Sequence, residues 1–226
     1  MPTQVILFDI NETVLDLSVL KPKFLHYFAD EHYMNTWFAM LLHSSTVCLV
    51  TEVKTDFKSL ALASLHSLAS RLGKPLSDEG CSDILSTMAN LPAHHDIKPA
   101  LTALKQAGFK LVAFSNSSTA LLQSQLSNAD LIEYFDDVIS VESAATFKPS
   151  AKAYQYAVDT LALPPSEICL VATHDWDTHG ALSCGLKAAF IERLSAFYNP
   201  HYQTPDIIGT DMEEIAQQII TKWKHH

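Results

Sequence analysis

Residues 5–16 read Val5-Ile6-Leu7-Phe8-Asp9-Ile10-Asn11-Glu12-Thr13-Val14-Leu15-Asp16, an apolar run that ends in a carboxylate and a polar turn. An aspartate in that setting is often a turn former or helix cap. It can equally be a reacting group held at the mouth of a sheet. Three further polar clusters follow other short apolar runs: Ser115-Asn116, Lys148-Pro149 and Thr173-His174-Asp175-Trp176-Asp177. The recurrence at one strand end after another points to a site more than any single residue does. If the first and last of these ends are neighbours, Glu12 and His174 can meet over Asp9. An imidazole oriented by a glutamate is a competent general base for water at neutral pH. The plain alternative is a structural pair, or an exposed histidine among the eleven in the chain.

The elements that must position these residues follow from the apolar pattern. Val5 to Phe8, Leu111 to Phe114, Ile168 to Ala172 and Lys187 to Ile191 read as short buried parallel strands, with Val138 to Val141 a weaker fifth. Helices are predicted over Pro99 to Ala107, stopped by Gly108, and over Ala151 to Leu161. This alternation predicts an α/β fold, a doubly wound parallel sheet with function at the C-terminal strand ends. Residues 16–95 break the rhythm. They show no strand but several helical patterns, notably Thr36 to Leu49 and Phe57 to Leu72, where Leu60, Leu65, Leu68 and Leu72 share a face. Gly73 to Ser77 reads as a loop, with Ser77 capping the next helix. The expected division is a core of residues 1–15 and 96–226 carrying an inserted all-helical cap of residues 16–95.

Bulk properties narrow the partners. With 226 residues and 48% hydrophobic content, the chain can bury a full core without staples. Its 25 acidic residues against 15 Lys and Arg give a net charge of -10, which repels phosphate backbones and anionic lipid. Neither nucleic acid nor membrane is an expected partner. Cys48, Cys81, Cys169 and Cys184 are scattered without a CxxC pair and read as reduced thiols. The first residues carry no basic region and only a four-residue apolar run, so no signal peptide or spanning helix is expected and the chain reads as cytoplasmic. An anionic substrate must find local positive potential inside its site.

In their order and setting, the four clusters resemble the four motifs of the haloacid dehalogenase superfamily, with the helical block where that family carries its cap. The resemblance makes Asp9 the nucleophile and Thr13 its supporting hydroxyl. It makes Ser115 and Asn116 the donor pair after the second strand, Lys148 the cation beside Asp9, and Asp177 the acid of the fourth motif. The chemistry is coherent, because a carboxylate nucleophile must stay ionised and a nearby lysine favours its charge. Tyr154 lies on the helix after Lys148 and is expected either to face the site or to fill the core.

Two departures select among members of the superfamily. Its phosphatases place a second Asp two positions after the nucleophile to protonate the leaving alkoxide. Asn11 stands there, and an amide cannot deliver that proton. They also carry a magnesium-binding Asp where this chain has Thr173, which leaves a weak site for a hard cation. Neither loss matters if the leaving group is a halide, which departs as a stable anion. The pattern is similar to the type II 2-haloacid dehalogenases, including Trp176-Asp177 and Gly180-Ala181. That similarity implies hydrolysis of small 2-haloacids to 2-hydroxy acids through an ester on Asp9, with no cofactor and no metal, and a homodimer. His174 with Glu12, or Asp177, would activate the water. Relatives of that type carry an arginine in the cap helix for the halide, but Arg71 and Arg193 both lie outside Thr36 to Leu49. Asn11 and Asn116 are candidate substrate donors, and Trp37 and Phe57 candidate apolar walls. The rivals are a phosphatase or other small-molecule hydrolase of this fold, recognised by dependence on magnesium, and a binding protein of this fold without turnover.

Overall fold

The computed structural model describes residues 3–193 and 197–223. Its centre is β1 (Val5–Phe8), four apolar residues all shielded from solvent. The chain then leaves the sheet for four helices, α1 (Lys21–Phe28), α2 (Tyr33–Val50), α3 (Phe57–Arg71) and α4 (Asp78–Met88). It returns through α5 (Ile97–Gln106) into β2 (Lys110–Ser115). From there strands and helices alternate as α6 (Thr119–Asn128), β3 (Asp137–Ser140), α7 (Ala151–Leu161), β4 (Ile168–Ala172), α8 (Asp175–Ser183), β5 (Lys187–Ile191), β6 (Ile207–Gly209) and α9 (Met212–Trp223).

The sheet order is β3-β2-β1-β4-β5-β6, and each pair is parallel. Parallel strands are covered by helices on both faces, which is why β1 and β4 are apolar throughout. In register, Phe8 lies opposite Ala113 of β2 and Val171 of β4. The chain builds outward from β1 in one direction and then the other, so the loops after β1 and β4 part over a crevice where doubly wound sheets hold their ligands. The residues just beyond Phe8, Phe114 and Ala172 all open into it.

Three of the expected strands have the bounds read from sequence, and Leu111 to Phe114 widens by one residue at each end. The weak run begins at Asp137, which pairs with Val112 of β2, and stops at Ser140 because Val141 already enters a short turn. A sixth strand, β6, was not expected. It is three residues long at the sheet edge, with Ile208 exposed, and offers no apolar run to read. Helix α5 starts at Ile97, so Pro99 sits in its first turn, where no backbone N–H is needed. Leu60, Leu65 and Leu68 are buried along α3, while Leu72 ends it half-buried. Ser77 caps α4 by accepting a hydrogen bond from the Gly80 N–H at 3.1 Å.

The two chain crossings between the helical block and the sheet are clipped together. Leu15 bridges to Ala93, the Asp16 N–H bonds the Pro92 carbonyl at 2.8 Å, and the His94 N–H bonds the Val14 carbonyl at 3.0 Å. Behind them, Arg193 makes a bidentate pair with Asp96 at 2.9 and 3.1 Å and donates Nε–H to the Thr13 carbonyl at 2.7 Å. Asp96 also accepts the Met212 N–H at 2.7 Å. The turn carrying the first motif is thus fixed from α5, from the loop after β5 and from the start of α9.

Candidate active site

Asp9 follows the last residue of β1, its N–H bonded to the Val171 carbonyl of β4 at 3.0 Å. Its carboxylate is nearly closed to solvent and ringed by donors. Lys148 Nζ donates to Oδ1 at 2.8 Å, Thr13 Oγ1 donates to Oδ2 at 2.7 Å, and His174 Nδ1 lies 3.2 Å from Oδ2. The Thr13 oxygen accepts the Thr173 N–H at 3.0 Å, which commits its proton to Asp9. Burial alone would raise the Asp9 carboxyl. The Lys148 ammonium and the His174 ring outweigh it and hold the group well below the usual carboxylate range. Asp9 is ionised across the range in which enzymes work.

Lys148 is buried and bridges two carboxylates, reaching Asp177 Oδ2 at 2.6 Å as well as Asp9. Burial opposes its charge, but Asp177 and Asp9 more than offset this and raise its pKa. Asn116 holds the Lys148 loop by accepting the Lys148 N–H on Oδ1 at 2.8 Å. Asp177 is fully buried on the first turn of α8, and its other oxygen accepts the Tyr154 hydroxyl at 2.6 Å. Burial leaves the Asp177 carboxyl above its ordinary range. Tyr154 therefore orients Asp177 from the core. It reaches there because residue 180 is glycine: a Cβ would stand within 2.8 Å of the tyrosine ring.

His174 is held at both ends. Nε2 lies 2.8 Å from Glu12 Oε2, opposite the Nδ1 contact with Asp9. Its ring stacks on Trp176 at 5.0 Å, and Phe38 of α2 lies 6.3 Å away. Burial would lower its pKa, but Asp9 and Glu12 push it up to about 10. A ring protonated at neutral pH has no lone pair to offer water, so this environment works against the general-base role expected from the sequence. Glu12 has φ +67, in the left-handed region that favours glycine. A side chain at that position costs about 1–2 kcal/mol.

The other expected site residues divide. Ser115 accepts the Ser117 N–H at 3.1 Å, so its own proton is available to the crevice. Asn11 is turned away from Asp9: its Nδ2 donates to Ser117 at 3.3 Å and its Oδ1 accepts from Gln125 at 3.0 Å. Trp37 lies inside the cap, its indole N–H donated to the Ala61 carbonyl at 3.0 Å and its ring against Phe24. It is the next residue, Phe38, that meets His174. Phe57 packs at 6.4 Å on Phe147, which precedes Lys148, and lines a cavity of about 850 Å³ between α3, α4 and the start of α6. Ser117 also borders that cavity, whereas Asp9, Lys148 and His174 do not. Among the described residues, no three His, Cys, Asp or Glu side chains are grouped to hold a metal ion.

A family model for haloacid dehalogenase-like hydrolases matches residues 3–185. The chain belongs to that family. It is 29% identical over 196 residues, 86% of each chain, to (S)-2-haloacid dehalogenase 1 of Pseudomonas sp. (strain CBS-3). It is 25% identical over 221 residues to (S)-2-haloacid dehalogenase H-109 of Pseudomonas putida, covering 97% of this chain and 99% of the relative. The fold matches that of the L-2-haloacid dehalogenase from Xanthobacter autotrophicus with chloropropionic acid covalently bound, with a TM-score of 0.88 at 21% identity over 96% and 98% of the two chains. Thr173 stands at the position that, by the motif resemblance, carries a magnesium-binding Asp in phosphatase members of the family. The residues present do not fit that ion. Thr173 supplies no carboxylate, its hydroxyl is buried without a partner, and the Asp9 oxygen nearest His174 already accepts two hydrogen bonds.

Proposed function

We propose that this chain hydrolyses the carbon–halogen bond of small 2-haloacids, giving 2-hydroxy acids through an ester on Asp9 and without a metal. The observation that carries the reading is the state of Asn11. Both ends of its amide are engaged by Ser117 and Gln125, so nothing two positions from the nucleophile can protonate a leaving alkoxide. A halide needs no such proton.

Each carboxylate oxygen offers two in-plane lone pairs. Oδ2 of Asp9 spends both, on Thr13 and His174, while Oδ1 spends one on Lys148. Oδ1 is therefore the attacking atom. It forms the bond to C2 as the carbon–halogen bond breaks and its electron pair leaves with the halide. The Ser115 hydroxyl holds the substrate carboxylate in the positive potential of Lys148, whose three protons go to Asp9, Asp177 and the Phe114 carbonyl. The Asn116 amide NH₂, which has no partner among the described residues, is the donor for the halide. The helical cap of residues 16–95 excludes water while C2 reacts. In the second step water attacks the ester carbon, with Asp177 as the base, and Tyr154 orients it.

The (S)-2-haloacid dehalogenases matched across most of their length support this substrate class. No described helix is long and apolar enough to cross a membrane. A cytoplasmic homodimer completes the proposal, which gel filtration of the purified chain addresses. The chemistry is tested by a screen of halide release over 2-chloro- and 2-bromoacids with and without EDTA. Release is expected at equal rates in both, with negligible hydrolysis of an aryl phosphate. Release that is lost on chelation and restored by magnesium would contradict it.

A further inference from the structure

Both nitrogens of His174 face carboxylate oxygens, Asp9 Oδ2 at 3.2 Å and Glu12 Oε2 at 2.8 Å. An ionised carboxylate only accepts, and a neutral imidazole has a single N–H to give. Two contacts of this kind require two protons on the ring. Trp176 stacks on the ring at 5.0 Å and Phe38 lies tilted at 6.3 Å, aromatic neighbours that favour a delocalised cation. We propose that His174 is a resident imidazolium whose Nδ1–H, with the Thr13 hydroxyl, forms the oxyanion hole for hydrolysis of the Asp9 ester, and that Glu12 keeps the ring charged through that step. The inference rests on the ester route above and assigns what that route leaves open.

After Oδ1 has taken the alkyl group, Oδ2 is the ester carbonyl oxygen. The two donors that quench its reactivity in the first step are then placed to stabilise it in the second. Water adds to Cγ and gives a proton to Asp177, and the carbonyl electron pair moves onto Oδ2 between Thr13 and His174. On collapse the Cγ–Oδ1 bond breaks. The leaving oxygen takes a proton through Lys148, which spans Asp177 and Oδ1 at 2.6 and 2.8 Å. The 2-hydroxy acid departs, the proton left on the oxygen added to Cγ is released to solvent, and the Asp9 carboxylate is restored.

This sequence gives Glu12 a purpose that justifies its left-handed backbone. Esterification removes the negative charge of Asp9, and with it part of the field that keeps His174 protonated. The groups facing the ring are Asp9 and Glu12 from the turn after β1, Lys148 and Asp177 beyond Asp9, the neutral Phe38 from the cap and Trp176 from α8. Of these, Glu12 alone still presents a carboxylate to the ring once the ester has formed. Glu12 is a positioning residue, acting through the imidazole.

The test uses the full chain in two arms. In the first, ¹⁵N-histidine NMR, with His174 assigned by its absence in His174→Ala, should show a doubly protonated ring from pH 6 to 9. A ring titrating near its ordinary value of 6.5 would overturn the proposal. In the second, rapid quench with excess 2-chloropropionate should show His174→Ala releasing a burst of one chloride per site, followed by turnover reduced about 10²–10³-fold. Glu12→Gln, which keeps the hydrogen bond and loses the charge, should bring the fall of the rate with rising pH down to a lower pH than in wild type. It should then slow by about tenfold per pH unit once above the lowered ring pKa, while wild type stays level to pH 9. A rate that rises with pH instead would identify His174 as a base and overturn the assignment. Wild type that releases no halide removes the dehalogenase reading and the oxyanion role with it. A charged ring with unimpaired His174→Ala turnover removes the role alone.

Discussion

Lys148 Nζ lies 2.8 Å from Oδ1 of Asp9, a contact made between side chains 139 residues apart in the chain and both buried at the end of β1. Because the same ammonium also neutralises Asp177, its removal leaves two carboxylates facing each other in a low-dielectric site. Lys148→Ala is expected to lose about 3–4 kcal/mol of transition-state stabilisation. It should also lose about 3–5 kcal/mol of folding stability, the usual result of breaking a buried ion pair from one side. Asp9→Asn should abolish halide release, because an amide is too poor a nucleophile at carbon. Single-turnover halide release and urea unfolding check both variants. Lys148→Ala with wild-type turnover would mean that the ammonium is not at the reacting centre.

Tyr154 and Gly180 form a matched pair beneath the site. Tyr154→Phe removes the hydroxyl that holds Asp177 Oδ1, a hydrogen bond to a charged group worth about 1.5–3 kcal/mol. Its effect should appear in the hydrolytic step, as a slower steady state after an undiminished chloride burst. Gly180→Ala places a methyl against the Tyr154 ring and should destabilise the protein by about 1–3 kcal/mol, measured by urea unfolding.

The pH dependence of stability follows from His174, whose pKa is raised from 6.5 to about 10. The folded state binds that proton more tightly than the unfolded chain. Its contribution is therefore complete below pH 6.5, declines as pH rises above it, and is lost as pH passes through about 10. Urea midpoints from pH 6 to 10 should fall for wild type and be flatter for His174→Ala. Equal slopes would contradict the assignment of a charged ring.

The Arg193–Asp96 pair predicts an acid-side effect far from the chemistry. Burial would raise the Asp96 carboxyl, but the Arg193 guanidinium and the Met212 N–H hold it below its ordinary value. That stability is present above pH 3.8 and lost as pH falls through the lowered value. Asp96→Asn should reduce stability at pH 7 by about 3–5 kcal/mol, because it leaves the half-buried guanidinium unpaired. Equilibrium unfolding at pH 7 and pH 3 should show the difference between variant and wild type shrinking at the lower pH.

The sequence reveals best what burial on both faces imposes. β1, β4 and β5 are apolar runs with polar residues just beyond them, so their limits and the four strand-end clusters can be read directly. Asp9, Lys148 and Asp177 meet because the register of β1 against β2 and β4, and of β2 against β3, brings the loops after β1, β3 and β4 to the same end of the sheet. Other features are set by tertiary geometry and leave little trace. Helix α2 is apolar on nearly all sides, so no period tells Trp37, which fills the cap, from Phe38, which meets His174. Asn11 reads as a free amide until Gln125, 114 residues away, is seen to hold it. The charge of His174 depends on two acceptors at opposite ends of one ring, and sequence reports neither distance.

The central claim is a covalent ester on Asp9, and the most direct measurement is mass spectrometry of protein quenched during turnover. The full chain, mixed with excess 2-chloropropionate in EDTA and acid-quenched within the first turnovers, should carry one lactyl group. Peptide mapping should place it on Asp9, and His174→Ala should carry more of it than wild type at steady state. Halide release with an unmodified Asp9 peptide, or with the adduct on another residue, would contradict the account.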